Sequence, residues 1–515
     1  MSWKPEVDEI ERRRARAREL GGAEAVRRQH EAGRATVRER IAALVDAGSF
    51  REHGVLAGHG EKGGEGRFTP ANVVIGSAAV DGRAVVVCGD DFTLRGAAYS
   101  AVGLRKSLHA EELALQRRVP LIRLLEGGGA SIEGASGTRG RSGYDWLAPP
   151  RASLLAVQAL AHVPVVCAAL GPVAGFPAAR LVASHLSLMT RDTAQVMIGG
   201  PTLVERALGE RLSKSELGGP DIHLRSGVVD NLAEDEEDAR VQIRRFLSYL
   251  PPHVGAAAPR CDCDDPASRR EEALIEVIPR ERRQLYPIRR IIEWIVDRGS
   301  FFEMTPRYGP SQVTGLARLR GHSVGVIAND CMHAGGAMTA ESARKLRRFV
   351  ELCDTFGLPI VSLVDEPGFM IGSRAEQAGT IRYGMEAIFA VLQTHVPWAC
   401  VVLRKAFGVA AGIHLGPVAT VLAWPSAESG ALPVESGVAL AYRREIESAP
   451  DPVARRRELE EEIAAAQSIF PRAEAFGVHD VIDPRETRPR LCEWIDEIQT
   501  ALARSRGPHA YTPRP

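Results

Sequence analysis

Short apolar runs alternate with longer amphipathic segments along most of the chain. Four of the runs have strand length and are nearly continuous in apolar residues: AVVVCG, LIRLLEG, VPVVCAALG and LSLMT, which begin at Ala84, Leu121, Val163 and Leu186. Such runs are typical of strands that are buried on both faces. Between them, segments such as AVGLRKSLHAEELALQRR have the periodicity of helices. The alternation predicts an α/β layered fold.

The pattern occurs twice. GRAVVVCGDDFTLRGAA, from Gly82, is echoed 239 residues later by GHSVGVIANDCMHAGGA, from Gly321. Further pairs keep the order: PLIRLLEGGG with PIVSLVDEPG, VPVVCAALGPVAGFPAA with VPWACVVLRKAFGVAAG, and VDAGSF with VDRGSF. Matched landmarks at a near-constant offset predict two tandem domains from an internal duplication rather than a short repeat. We place the first domain at residues 1–254, a linker at 255–270 and the second domain at 271–515.

Composition narrows the classes of function. The 515 residues carry a formal net charge of +0, which gives no reason to expect a nucleic-acid partner. No apolar stretch reaches the ~18 residues needed to cross a bilayer, so no membrane partner is expected. The N-terminal MSWKPEVDEIERRR has no apolar core of a secretory signal. We therefore expect a cytoplasmic protein.

The cysteines give little indication of a metal site. Cys88, Cys167, Cys331 and Cys400 lie in apolar or small-residue runs and are expected to be buried as small hydrophobic side chains. Only CDCDD, at residues 261–265, brings two cysteines close together, and C-x-C without a second pair is a weak zinc signal. We expect no metal in this chain.

Glycine-rich turns follow two strands of each repeat. They are LEGGGASIEG and GPVAGFPAA in the first repeat, and VDEPGFMIG and RKAFGVAAG in the second. Glycine at a strand-to-helix turn allows another molecule to approach the backbone, and the first amides of the following helix lack acceptors. Two such loops side by side predict an oxyanion hole, in which N–H groups stabilise a charged carbonyl oxygen.

The same residues argue against other sites. GGGASIEG lacks the lysine of a nucleotide P-loop, and neither repeat has a G-x-G-x-x-G turn. No G-x-S-x-G or H-E-x-x-H motif occurs. Asp365 and Glu366 are adjacent and are expected to cap or form salt bridges, whereas His223, His333 and His414 are expected to be structural. An oxyanion hole without a general base needs a base from the substrate or cofactor.

The sequence resembles the carboxyltransferase (β) subunits of biotin-dependent acyl-CoA carboxylases, such as the propionyl-CoA carboxylase β family. The motifs that carry the resemblance are DFTLRGAA, MIGGPTLVERALGE, SELGGPDIHLRSGVVD, ARKLRRFVELCDTFGLPIV, DEPGFMIG and RKAFGVAAG. The resemblance covers nearly the whole chain and implies two crotonase-type (ClpP/crotonase-like) domains.

The resemblance also implies a mechanism. In the family, carboxybiotin on a separate carrier loses its carboxyl group, the biotin enolate removes the α-proton of the acyl-CoA, and the carbanion takes up the carboxyl group. Two enolates then need two oxyanion holes. Gly128 and Gly129 would hold the thioester enolate, and Val409 and Ala410 the biotin enolate. Other residues implied to contact the acyl-CoA or biotin are Ala130, Gly175, Phe176, Gly368, Phe369, Gly408, Ala411 and Gly412.

Partners follow from the same resemblance. The chain has no A-M-K-M biotinylation site and no glycine-rich ATP-binding stretch, so a biotin carboxylase and a biotin carrier must be supplied by other chains. The family forms its active sites between the first domain of one protomer and the second domain of another. This implies self-association, usually as a homohexamer.

The chain departs from the family pattern at several positions. Ser131 replaces an arginine, Phe176 and Pro177 interrupt a G-G-A stretch, and Val409 replaces a glycine. These changes predict a reshaped acyl pocket and leave the acyl group unassigned. Three alternatives stay open: an acyl-CoA decarboxylase subunit that runs the transfer in reverse, a biotin-independent hydratase or isomerase using Glu133, and a non-catalytic paralogue that scaffolds the complex.

Overall fold

The computed structural model describes residues 2–60, 68–98, 100–129 and 151–509. Residue contacts divide the chain into one unit of residues 1–256, joined by the segment from Pro508 onward, and a second unit of residues 257–507. None of the helices in these described stretches is long and apolar enough to span a bilayer.

The first unit contains, among its described residues, an eight-stranded sheet. Strands β1–β10 are Arg51–His53, Gly58–Gly60, Phe68–Pro70, Val73–Val80, Arg83–Asp90, Leu121–Gly127, Val165–Ala174, Leu186–Thr190, Gln195–Met197 and Asn231–Ala233. The order is β1-β4-β5-β6-β7-β8-β10, with β9 beside β7 and β2-β3 as a separate pair. From β5 to β10 the pairing is parallel, whereas β1, β4 and β5 pair antiparallel.

The second unit repeats this topology. Strands β11–β18 are Phe302–Met304, Gln312–Leu319, His322–Asn329, Ile360–Glu366, Trp398–Phe407, Thr420–Ala423, Glu428–Gly430 and Asp480–Val481. Their order is β11-β12-β13-β14-β15-β16-β18, with β17 beside β15. The two sheets therefore match strand for strand, and the predicted duplication and α/β fold are confirmed.

Helices cover the sheets. In the first unit, α1–α10 are Lys4–Arg18, Ala23–Glu31, Val37–Leu44, Ala101–Arg117, Arg151–His162, Phe176–Val182, Pro201–Leu208, Lys214–Gly218, Pro220–Ser226 and Glu236–Tyr249. In the second, α11–α20 are Ile288–Ile295, Ala340–Thr355, Ser373–Gln377, Thr380–Leu392, Val434–Ala441, Arg443–Ser448, Pro452–Gln467, Ile469–Glu474, Thr487–Glu497 and Gln499–Arg504. Short 3₁₀ turns are Arg95–Ala97, Glu272–Ile275, Ala334–Gly336, Val409–His414 and Pro484–Glu486.

The central strands of each sheet are buried because their sequences are largely apolar on both faces. β6 is buried along its whole length, and β14 is likewise buried from Ile360 to Glu366. The thiols of Cys88, Cys167 and Cys400 are buried within these layers, as expected from their apolar surroundings. Each sheet thereby supplies a rigid support for the loops at its strand ends.

The segment predicted as a linker packs against the second unit. The amide of Cys261 donates to the carbonyl oxygen of Gly321 at 3.0 Å, and the buried Arg488 donates to the carbonyl oxygens of Asp265 and Pro266. Arg269 and Asp265, each only 7% exposed, form an ion pair. Residues 257–270 are thus ordered by polar contacts that their composition did not indicate.

Candidate functional site

The predicted glycine loops lie at one edge of each sheet. Because β6 and β7 are parallel neighbours, with Gly127 opposite Val173, their carboxyl ends meet and the chain leaves both strands at the same edge. The equivalent strands β14 and β15 do the same, with Glu366 opposite Ala406. Ligands of parallel sheets bind at the carboxyl ends of the strands, and this edge is therefore the candidate site in each unit.

In the first unit the two loops touch. A Cβ on Gly129 would lie 2.8 Å from the carbonyl oxygen of Ala174 and 3.7 Å from the Cα of Gly175. Both glycines have positive φ angles, +81° and +67°. A side chain at Gly129 would push the loops apart, whereas at Gly175 only the positive φ angle disfavours a side chain, because an added Cβ would meet no atom closer than 3.8 Å.

The amides of the first loop are not equivalent. The Gly128 N–H already donates to the carbonyl oxygen of Gly96 at 3.1 Å. For the Gly129 N–H, the described part of the chain offers no protein acceptor. Of this predicted pair, Gly129 therefore has the amide that can reach a ligand in this conformation. Ala130, the next predicted residue, lies outside the described residues.

Gly175 and Gly408 are held in the same way. Their φ angles are +67° and +64°, and their amides donate to the carbonyl oxygens of Met197 and Gly430 at 3.1 Å and 3.0 Å. Each acceptor is the last residue of a short strand, β9 or β17, that lies beside the long strand preceding the glycine. The duplication thus extends to the conformation and hydrogen bonding of the site loops.

The residues after these glycines differ between the units. Phe176 opens α6 and is followed by Pro177, which has no N–H. Val409 opens the 3₁₀ turn and is followed by Ala410, which retains its N–H. The first amides of a helical turn have no acceptor within that turn. The second unit therefore presents two consecutive amides where the first can present one.

The second-unit turn borders open space on one side. Val409 is 64% exposed, whereas Ala410 is buried. A Cβ on Gly412 would meet no atom within 4 Å, and Ala411 beside it is only partly buried. The turn that carries Val409 and Ala410 is therefore accessible from one side and anchored on the other.

Gly368 and Phe369 form the neighbouring loop. Gly368 has a φ of +122°, and a Cβ added there would meet no atom within 4 Å, so this residue too borders open space. Its carbonyl oxygen accepts from the Met338 amide at 3.0 Å. The Phe369 ring packs against Gly384 of α14, where a Cβ would lie 2.2 Å from the ring. Phe369 thus anchors the loop instead of facing a ligand freely.

A buried carboxylate lies near the end of the first of the two strands in each unit. Glu126 accepts hydrogen bonds from Arg34 at 2.6 Å and Gln29 at 2.7 Å and pairs with Arg40. In the second unit, Asp365 accepts from Arg404 at 2.9 Å and from the Tyr286 hydroxyl at 2.9 Å. Both carboxylates are committed to these contacts, which fix the strand ends.

Asp90 and Asn329 brace these strand ends from the adjacent strand. An Asp90 carboxylate oxygen accepts from the Glu126 amide at 3.4 Å, and the Asn329 side-chain oxygen accepts from the Asp365 amide at 3.0 Å. Complete burial raises the pKa of the Asp90 carboxyl to about 7. The first unit thus uses a titrating group where the second uses an amide.

Replacing Asp90 with asparagine is expected to change the pH dependence of stability. Because the folded-state pKa of Asp90 is raised, its stabilising contribution is full below the ordinary aspartate pKa and is lost as pH rises toward 7. Asp90→Asn should therefore raise the thermal unfolding midpoint by about 3–6 °C at ~pH 8 and leave it nearly unchanged or lower at ~pH 4. Thermal unfolding at both pH values tests this, and an equal destabilisation at both would contradict it.

Sequence reasoning missed the third loop of the site. Gly96 and Gly335 lie in the 3₁₀ turns after β5 and β13, with φ angles of +59° and +63°. The Gly96 carbonyl oxygen accepts the hydrogen bond of the Gly128 amide, so that amide is not available to a ligand. The signal was present, since the two glycines fall 239 residues apart within the first repeated motif.

Comparison with known proteins identifies the family of this chain. The carboxyl transferase domain model matches residues 28–506. The chain is 35% identical over 500 residues to a propionyl-CoA carboxylase carboxyltransferase subunit of Haloferax mediterranei, covering 95% of both chains. The crystal structure of transcarboxylase 12S, a hexamer with methylmalonyl-CoA bound, matches with a TM-score of 0.89 at 30% identity, covering 100% of this chain and 98% of that one.

A third match is to a longer protein. A single-chain, multi-domain long-chain acyl-CoA carboxylase matches with a TM-score of 0.82 at 31% identity, covering 96% of this chain and 49% of that chain. With the duplicated sheets, the paired glycine loops and these matches together, the chain belongs to the carboxyl transferase domain family.

Proposed function

We propose that this chain transfers a carboxyl group from carboxybiotin, carried by another protein, to the α carbon of an acyl-CoA. The observation that carries this proposal is the duplicated loop geometry: Gly175 and Gly408 have matching φ angles and matching amide contacts at equivalent sheet edges. A reaction that passes through two enolates needs two such sites in one enzyme, one for each.

The second-unit turn would stabilise one enolate. Val409 and Ala410 are the first two residues of a 3₁₀ turn whose opening amides lack acceptors within the turn. Fixed N–H donors stabilise an oxyanion without reorganising during the reaction, and removing one such donor typically lowers kcat by about 10²–10³-fold. We assign this turn to the biotin side, with Gly408, Ala411 and Gly412 lining it.

The first-unit loops would stabilise the thioester enolate. Gly129 supplies an amide beside the Gly175–Phe176 loop, and Gly128 supports that amide's position through its own bond to Gly96. We therefore place the acyl-CoA on the first domain, residues 1–254, and biotin on the second, residues 271–515. On the second-domain side, Gly368 would border the site and Phe369 would hold the Gly368 loop in place.

Carboxybiotin would supply the carboxyl group and, after giving it up, the base for the α-proton. The protein's own carboxylates at the strand ends are then not needed as the base. Glu126 and Asp365 are each held by an arginine and buried, which suits a structural role better than proton transfer to a substrate.

Partners follow from this function. The transferable group must arrive on a biotin carrier, with a biotin carboxylase to reload it, and both would be other chains or domains. The long-chain acyl-CoA carboxylase match, in which this fold accounts for about half of a single chain, supports such companions. The hexameric transcarboxylase 12S, matched over the whole chain, supports a homohexamer. We place the assembly in the cytoplasm.

A pull-down from the native cell tests the partner requirement. The tagged chain is expected to retain a biotinylated protein that labelled streptavidin detects on a blot. A tagged protein of an unrelated fold serves as the control for endogenous biotinylated proteins. Recovery of no biotinylated partner above that control, from cells growing on substrates that require acyl-CoA carboxylation, would contradict the proposal.

A further inference from the structure

A buried histidine–glutamate pair lies beneath the second-unit loops. Glu366 is the last residue of β14, and His414 is the last residue of the Val409–His414 turn. Both side chains are 0% exposed, and the His414 Nε2 lies 3.3 Å from a Glu366 carboxylate oxygen. The pair therefore joins the ends of the two elements that carry the predicted site residues.

Glu366 also binds the neighbouring loop directly. One carboxylate oxygen accepts from the Gly368 amide at 2.9 Å. The other accepts from the Asn329 side-chain amide at 2.9 Å and from Gln312 at 3.4 Å, in addition to His414. One carboxylate thus connects the Gly368 loop, two neighbouring strands and the 3₁₀ turn.

The direction of these bonds is set by the carboxylate. Since an ionised carboxylate only accepts, the His414 Nε2–H donates to Glu366. The other ring nitrogen, Nδ1, lies 3.1 Å from the hydroxyl of buried Ser362 and accepts from it. Every polar atom of the imidazole then has a partner, which is the condition for a buried polar network to fix one geometry.

The first unit shows that the fold does not require this pair. Strand β15 and the Val409–His414 turn correspond to β7 and α6 of the first unit, 233 residues earlier in the chain. At that offset, Leu181 occupies the position of His414. Gly127 matches Glu366 at the offset of 239. Leu181 is fully buried in an apolar core. A polar pair at these positions is therefore specific to the second unit and to its site.

We propose that Glu366 and His414 are positioning residues for the second-unit site. They hold the Val409–His414 turn against the Gly368 loop and so keep the Val409 and Ala410 amides aimed at one point. This inference rests on the proposed function of those amides. Displacements of the order of 1 Å can lower a rate by about 10²-fold, so positioning alone has a measurable effect.

Three variants test the proposal in the full-length assembly. His414→Leu copies the first unit's Leu181 and removes the bond to Glu366. His414→Gln keeps a side-chain N–H that can donate to Glu366. His185→Leu is the matched control, because His185 is 2% exposed, is hydrogen-bonded on both ring nitrogens and lies in the first unit.

Carboxyl transfer to an acyl-CoA accepted by the wild type gives the first readout. His414→Leu should lower kcat by about 10–100-fold with the acyl-CoA KM within about 3-fold, and His414→Gln should restore kcat to within about 5-fold of the wild type. His185→Leu should lower thermal stability but leave kcat within about 2-fold. Full activity of His414→Leu, or an equal loss in His185→Leu, would overturn the proposal.

Hydrogen exchange gives a readout that does not depend on activity. Amides in residues 408–416 should exchange about tenfold faster in folded His414→Leu than in the wild type, with residues 186–190 unchanged. Unchanged exchange at 408–416 would overturn the positioning role even if no acyl-CoA were carboxylated. A wild type that is inactive on all acyl-CoAs would instead refute the proposed function, so the two failures are distinguishable.

Discussion

Replacing Val409 with proline is expected to lower kcat for carboxyl transfer by about 10²–10³-fold, because it removes one N–H donor from the second-unit site. Proline is well tolerated at the first position of a helical turn. Gly408 before it has a ψ of −163°, which is compatible with a following proline. Steady-state kinetics with the biotin carrier and an accepted acyl-CoA measure the effect.

Val409→Ala is the control for that change. It removes the same exposed side chain but keeps the backbone N–H, and its kcat should stay within about 3-fold of the wild type. The acyl-CoA KM should change little in either variant, since we assign this turn to biotin. If the proline and alanine variants turned over equally fast, the Val409 amide would have no part in the reaction.

Replacing Gly129 with isoleucine is expected to abolish turnover, with a loss of more than about 10³-fold. The new Cβ would lie 2.8 Å from the carbonyl oxygen of Ala174, so the two first-unit loops must separate. The φ of +81° adds strain for a β-branched residue. Steady-state kinetics measure the loss of turnover, and native mass spectrometry checks that the size of the assembly is unchanged.

Gly82→Ile separates strain from site disruption. Gly82 has a similar φ of +75° but lies in the turn between β4 and β5 with no atom within 4 Å of an added Cβ. This variant should show the stability cost of positive φ, about 1–2 kcal/mol, while retaining turnover. Wild-type rates in a folded Gly129→Ile protein would remove Gly129 from the site.

The fold could be predicted from sequence because its signals are local and repeated. LIRLLEG predicted β6 with both of its observed ends, and the 239-residue offset predicted a second sheet of the same topology. The loops of Gly175 and Gly408 were found because glycine directly after a buried strand, at matching places in both repeats, indicates a turn that leaves its backbone accessible. Their matching amide contacts with β9 and β17 could not be read from the sequence.

The parts that escaped prediction depend on long-range contacts. Nothing near Gly128 indicates that its amide is occupied by Gly96, 32 residues earlier in the chain. Glu366 was expected to cap or form a salt bridge, but its burial and its contacts with His414, Asn329 and Gly368 could not be read from the sequence. Polar groups of this kind acquire their roles only when distant strands bring their partners together.

Transfer of labelled carboxyl from a carboxylated biotin carrier to a panel of acyl-CoA thioesters, with the purified chain as the only added enzyme, tests the central claim most directly. We predict that label appears at the α carbon of at least one thioester and that Val409→Pro and Gly129→Ile each suppress it. A carboxyltransferase of known activity in the same assay confirms that the carrier is loaded. Absence of label from every thioester, with that control active, would contradict the account.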